Sequence, residues 1–114
     1  MNEEELLASL IEECDDDHLG LWAILWSVRV EMGVEDPATA RATTMRLVQA
    51  LLVEHGMLAG FPTKDWRGFT PWSLSPEEAI RRIDEEWTAL GREPNLWEIV
   101  WFTAPVCPVL VSYS

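Results

Sequence analysis

The stretch that decides the fold is residues 36–72, DPATARATTMRLVQALLVEHGMLAGFPTKDWRGFTPW. It opens as a helix should. Asp36 can accept from the free amides of a first turn, and Pro37 at the first helical position loses nothing by lacking an N–H. Ala40, Thr44, Leu47, Val48, Leu51 and Leu52 recur at helical spacing, which predicts a helix from Pro37 to about His55 with that stripe facing inward. Gly56 can take the left-handed conformation that ends it, and His55 stands where positive charge suits the carboxyl end. Beyond it, Met57 to Phe61 and Gly68 to Trp72 flank a loop holding Pro62, Lys64 and Asp65, the pattern of a β-hairpin. Pro71 has no N–H to give a ladder, so the second strand belongs at a sheet edge or ends there.

Upstream, Leu6, Leu7, Leu10, Ile11 and Cys14 mark an amphipathic helix over residues 3–14, its acid-rich start suited to the helix dipole. Asp15, Asp16 and Asp17 are then expected to cap a second helix from about His18 to Met32, with Gly33 as its stop. Leu19, Leu21, Trp22, Ile24, Leu25, Trp26, Val28 and Val30 leave that helix no clean polar face. It is either the central core helix or part of a self-association surface. Downstream, Ser75-Pro76-Glu77-Glu78 combines an N-cap, a first-turn proline and a capping-box glutamate. A fourth helix follows, with Ala79, Ile80, Ile83, Trp87 and Leu90 inward and Gly91 closing it. Residues 99–103, β-branched and aromatic, predict a final strand; Asn95 could instead cap a short helix at Leu96. The chain therefore reads as one helix-rich α+β domain over residues 1–104, with about four helices, a hairpin and a C-terminal strand. Residues 105–114, containing Pro105 and Pro108, read as an extended tail that could add Val109 to Val111 to a sheet edge.

The 114 residues include seven tryptophans and carry a formal net charge of -12, unevenly spread. Residues 1–36 hold eleven acids and one base (-10), residues 37–74 two acids and four bases (+2), and residues 75–114 seven acids and three bases (-4). Overall repulsion opposes approach to a polyanion, so nucleic acid is disfavoured as a partner and a basic protein is favoured. The run Leu21 to Trp26 is far too short to cross a membrane, and the acidic opening Asn2-Glu3-Glu4-Glu5 does not resemble a secretory signal. The expected compartment is the cytoplasm, where Cys14 and Cys107 would remain thiols; a disulfide between them is the alternative reading.

Helices two and three followed by the hairpin resemble a winged helix-turn-helix domain over residues 15–72. The stretch Leu51-Leu52-Val53-Glu54-His55-Gly56-Met57-Leu58 is similar to the join between the second helix of such a motif and its wing. The resemblance implies that residues 37–55 occupy the recognition-helix position and 62–67 the wing tip, making Arg41, Arg46, Lys64 and Arg67 the candidate DNA contacts. Two arginines and Gln49 among alanines and threonines are a thin set for reading DNA. An acidic winged helix reads instead as a protein-interaction or dimerisation module.

Trp66, Arg67, Phe69 and Trp72 concentrate on the hairpin the residue types that dominate binding hot spots, and form the candidate protein-binding set. The plain alternative is that Phe69 and Trp72 cover the small core. Cys14, Asp15, Asp16, Asp17 and His18 place metal-ligating groups close together, but without the paired spacing of a zinc motif, and an acidic helix boundary explains them. Glu98 in an apolar run could be a general acid with a raised pKa, or could pair with an arginine. No nucleophile motif or phosphate-cradling glycine loop occurs, so no enzymatic activity, metal or cofactor is expected. These readings favour an acidic interaction protein of the bacterial adaptor or immunity type; a DNA-binding regulator is the alternative.

Overall fold

The computed structural model describes residues 2–65, 67–95 and 98–104, the side chain of Asp16 excepted. Trp66, Leu96, Trp97, Cys107 and the expected tail 105–114 lie outside the described residues. The chain forms α1 (Glu3–Asp16), β1 (Leu19–Gly20), α2 (Leu21–Val30), α3 (Pro37–Gln49), a π-helical extension (Ala50–Glu54), β2 (Leu58–Pro62), β3 (Phe69–Pro71), α4 (Pro76–Leu90) and β4 (Trp101–Thr103). Among the described residues this is the expected α+β architecture, with four helices and one antiparallel sheet ordered β1-β4-β2-β3. Pro71 lies on β3, the edge strand, where its missing N–H costs no ladder bond.

Local chemistry starts three of the helices. Asn2 and Ser75 form capping boxes with Glu5 and Glu78, and Asp36 accepts from the amide of Thr39 at 2.9 Å. Ser75→Ala should therefore cost about 1 kcal/mol, readable as a lower urea midpoint with an unchanged slope. In the π-helical extension the amide of His55 reaches back to the carbonyl of Ala50, and Leu51 and Leu52 both turn into the core. Gly56, at φ 65°, then sends the chain into β2.

The start of α2 differs from expectation. Helix α1 runs through Asp16, Asp17 is its C-cap, and α2 begins at Leu21 after Gly20, with no side-chain cap. Leu19–Gly20 instead pair with Trp101–Phe102, and the Leu21 amide bonds to the carbonyl of Val100 at 3.1 Å. The strand pairing satisfies the backbone that the aspartates were expected to cap. The final strand is also shorter than expected, because Ile99 sits at φ 69°, unusual for a β-branched residue, and extended pairing begins only at Trp101.

Strand alternation divides the sheet into two faces. Leu19, Phe102 and Ala59 stand opposite one another and join the helical core with Leu6, Leu10, Ile24, Leu47, Leu51 and Ile83. Gly20, Trp101 and Gly60 make the next cross-strand row, on the opposite face. A Cβ on Gly20 would lie 2.8 Å from Cδ1 of Trp22 and 3.2 Å from Cε2 of Trp101, so the glycine makes room for two indoles. Helix α2 is core on one side, through Leu21, Ile24, Leu25 and Val28, while Trp26 and Val30 point into solvent. No helix among the described residues is long and apolar enough to cross a membrane.

Candidate functional site

The hairpin tip is built by short polar contacts. Thr63 donates its hydroxyl to Asp65 Oδ1 at 2.6 Å, Asp65 accepts from the amide of Arg67 at 3.0 Å, and Gly68 donates its amide to Thr63 Oγ1 at 3.0 Å. The two donors hold the Asp65 carboxyl below its ordinary pKa range. Lys64 and Arg67 project from this fixed turn into solvent, and neither forms an ion pair among the described residues.

The candidate protein-binding set does not assemble on one face. Phe69 packs beside His18, ring centroids 5.3 Å apart, and the His18 Nδ1 lies 3.2 Å from Thr103 Oγ1. Trp72, three residues on and hence on the other side of an extended chain, packs against the core, with the Arg82 guanidinium 3.9 Å from its ring centroid. Trp72 thus follows the core-covering alternative, and Phe69 lies beside His18. Trp66, the remaining aromatic of the set, is outside the described residues.

The four cations named for DNA contact divide in the same way. Arg41 donates to Asp84 Oδ1 at 2.8 Å, to the Asp84 carbonyl at 3.0 Å and to Thr88 Oγ1 at 2.8 Å, and stands 5.0 Å from the Trp87 ring centroid. Arg46 makes a two-pronged pair with Glu3, at 3.0 and 3.2 Å. The first is turned to α4 and the second to α1. Each carries its own counter-charge, and a phosphate approaching either guanidinium would meet the paired carboxylate as well. Lys64 and Arg67 remain together at the hairpin tip.

Glu98 takes the arginine-paired form. Its carboxylate receives Arg92 at 2.6 and 2.8 Å and the Asn95 amide at 2.6 Å, and these bonds, the Arg92 contact first, lower its pKa to about 2. A general acid needs the opposite shift. Because the folded pKa lies below the ordinary 4.5, the pair's contribution to stability is complete above pH 4.5 and is lost as pH falls toward 2. Arg92→Ala should raise the Glu98 midpoint toward 4.5 in a carboxyl NMR titration.

Cys14 and His18 face different surroundings. Cys14 is buried in the core, where burial and then Glu13 and Asp15 push its thiol up to about 12, while His18 turns to Thr103 and Phe69. Among the described residues no three His, Cys, Asp or Glu side chains are placed to share a metal ion.

The sequence did not single out a groove beside α2. Trp22, Trp26, Arg29, Glu93, Pro94 and Asn95 border an open space of about 500 Å³. Arg29 closes one side by a two-pronged pair with Glu93 and by donating to the Glu35 carbonyl at 2.9 Å. The signal was present in the absence of a polar face on α2, which leaves apolar side chains over once the core is filled. In class, then, the chain is an α+β domain whose described cations are largely paired and whose carboxylates are in excess. Compared with known protein families, curated proteins and solved structures, it matches none.

Proposed function

We infer that this chain is a non-enzymatic, acidic protein-interaction domain of the bacterial adaptor or immunity type, acting in the cytoplasm and binding a basic protein partner. The observation that carries the reading is the pairing of Arg41 with Asp84 and of Arg46 with Glu3. It cancels half of the cation set on which phosphate recognition would depend, and leaves the -12 surplus to govern long-range approach. Carboxylates then speed encounter with a basic surface, and the exposed Trp26 of α2 supplies contact area. Capture from a cell lysate with the tagged full chain tests this. The expected partner has a basic surface and is released as salt rises to about 0.5 M, where charges beyond a few Å are screened. A partner with no basic surface, or one held equally at every salt concentration, would count against charge-led recognition.

The second reading is a winged-helix transcriptional regulator that binds DNA through α3 and the hairpin. The helix–helix–hairpin order of α2, α3, β2 and β3 supports it, as do the exposed Lys64 and Arg67. It has fewer unpaired cations to work with than the sequence offered, since Arg41 and Arg46 are turned to different neighbours.

A further inference from the structure

Trp26 and Val30, at 51% and 57% exposure, are the two most exposed of the large apolar side chains described. They stand one turn apart on one face of α2, and Trp22 lies a turn earlier on the same line. A single exposed apolar residue is ordinary. Here an exposed indole forms part of the wall of a groove of about 500 Å³, next to an arginine, and such surroundings are typical of an anchoring site.

The charge around this face indicates what would occupy it. From Asp17 to Ala40 the sole arginine or lysine is Arg29, and its guanidinium is committed to Glu93 and to the Glu35 carbonyl. Glu31, Glu35 and Asp36 follow directly on the carboxyl end of α2, where the helix dipole is already negative. The field reaches α1 as well: burial, and then the Glu31 carboxylate, raise the Glu13 carboxyl above its ordinary range. An apolar stripe that ends in negative potential matches a segment combining an apolar side chain with a cation.

We propose that this face of α2 seats a segment of a basic protein, with an aliphatic or aromatic side chain against Trp26 and Val30 and a lysine or arginine beside Glu31 and Glu35. The proposal rests on the protein-binding reading and names its anchor. A second copy of the chain is a poor occupant, because a two-fold pairing would bring the same acids face to face at -12 per molecule.

The test uses the ¹⁵N-labelled full chain and a synthetic peptide of lysines and leucines at low salt, with a glutamate–leucine peptide as control. The lysine peptide is expected to shift the Trp26 indole N–H and the amides of Val30 to Glu35, and the control to leave them in place. Trp26→Ala should weaken binding roughly tenfold, and Val30→Ala several-fold, in variants whose near-ultraviolet circular dichroism shows a native fold. Both side chains are half exposed or more, so neither change should unfold the protein. Binding unaffected by both variants, with shifts confined to α1 or the hairpin, would overturn the α2 anchor and leave the acidic-partner reading intact. Failure to bind either this peptide or any basic protein would defeat both. A dimer in sedimentation that dissociates in the Trp26 variant would replace the proposed occupant with a second copy.

Discussion

Phe102→Ala is expected to destabilise the domain by about 3–5 kcal/mol, the usual cost of deleting a fully buried phenyl ring. Phe102 has no exposed surface, stands between Leu19 and Ala59 in register, and is the point where three of the four strands meet the helical core. Neither neighbour can fill the space. Leu19 is fixed by a two-residue strand, and Ala59 carries only a methyl group. Against a total stability of about 5–15 kcal/mol this is a large fraction, and the melting midpoint should fall by roughly 10–20 °C. Urea unfolding followed by fluorescence measures it, with a lower midpoint and an unchanged slope. A loss under about 1 kcal/mol would mean that the inner face of the sheet is not the centre of the core.

Gly60→Ala should give the second large effect, for a different reason. A Cβ at this position would lie 2.1 Å from the Thr70 carbonyl oxygen and 2.7 Å from the Pro71 Cα, both backbone atoms. A flexible side chain could swing away, but a strand can move only by breaking its ladder. The hairpin must therefore open at the Gly60–Pro71 register, at a cost of about 1–3 kcal/mol or more. Hydrogen exchange at the Thr70 and Trp72 amides should accelerate while the amides of α1 stay protected. Uniform acceleration across the chain would contradict a local origin.

The parts of the fold legible in the sequence are those whose cause is local. Asp36 with Pro37 and Ser75 with Glu78 mark helix starts within four residues, and Gly56 and Gly91, both at positive φ, mark ends. Pro71 marked the hairpin's second strand as an edge strand or one that ends there, and β3 is both, an edge strand ending at Pro71. The strand Leu19–Gly20 was not legible, since two residues carry no periodicity and its partners, Trp101 and Phe102, lie at the other end of the chain. Three consecutive aspartates fit the end of one helix as well as the start of the next, and the distant β4 decides between them.

For the candidate site, one missed signal was available. Phe69 and Trp72 are three residues apart, and in extended chain an odd separation sends side chains to opposite faces, so the hairpin set could have been split in advance. Arg41 and Arg46, five residues apart, likewise stand about 140° apart around a helix and could not both face one groove. Their partners Asp84 and Glu3, and the partner of Glu98, depend on tertiary placement and were beyond any spacing rule. The exposed side of α2 was half legible: eight apolar positions with no polar face implied either the central core helix or a self-association surface, and α2 buries Leu21, Ile24, Leu25 and Val28 while leaving Trp26 and Val30 exposed.

Binding of the full chain to mixed duplex DNA fragments at low salt, read by electrophoretic mobility and repeated with Arg41→Ala and Arg46→Ala, tests most directly whether these guanidiniums are spent on the protein's own carboxylates. The expected result is no shift at any concentration where a lysine-rich peptide binds, and no difference among the three proteins. A shift that weakens steeply with salt and disappears in either variant would show those arginines on phosphate, and would contradict the account.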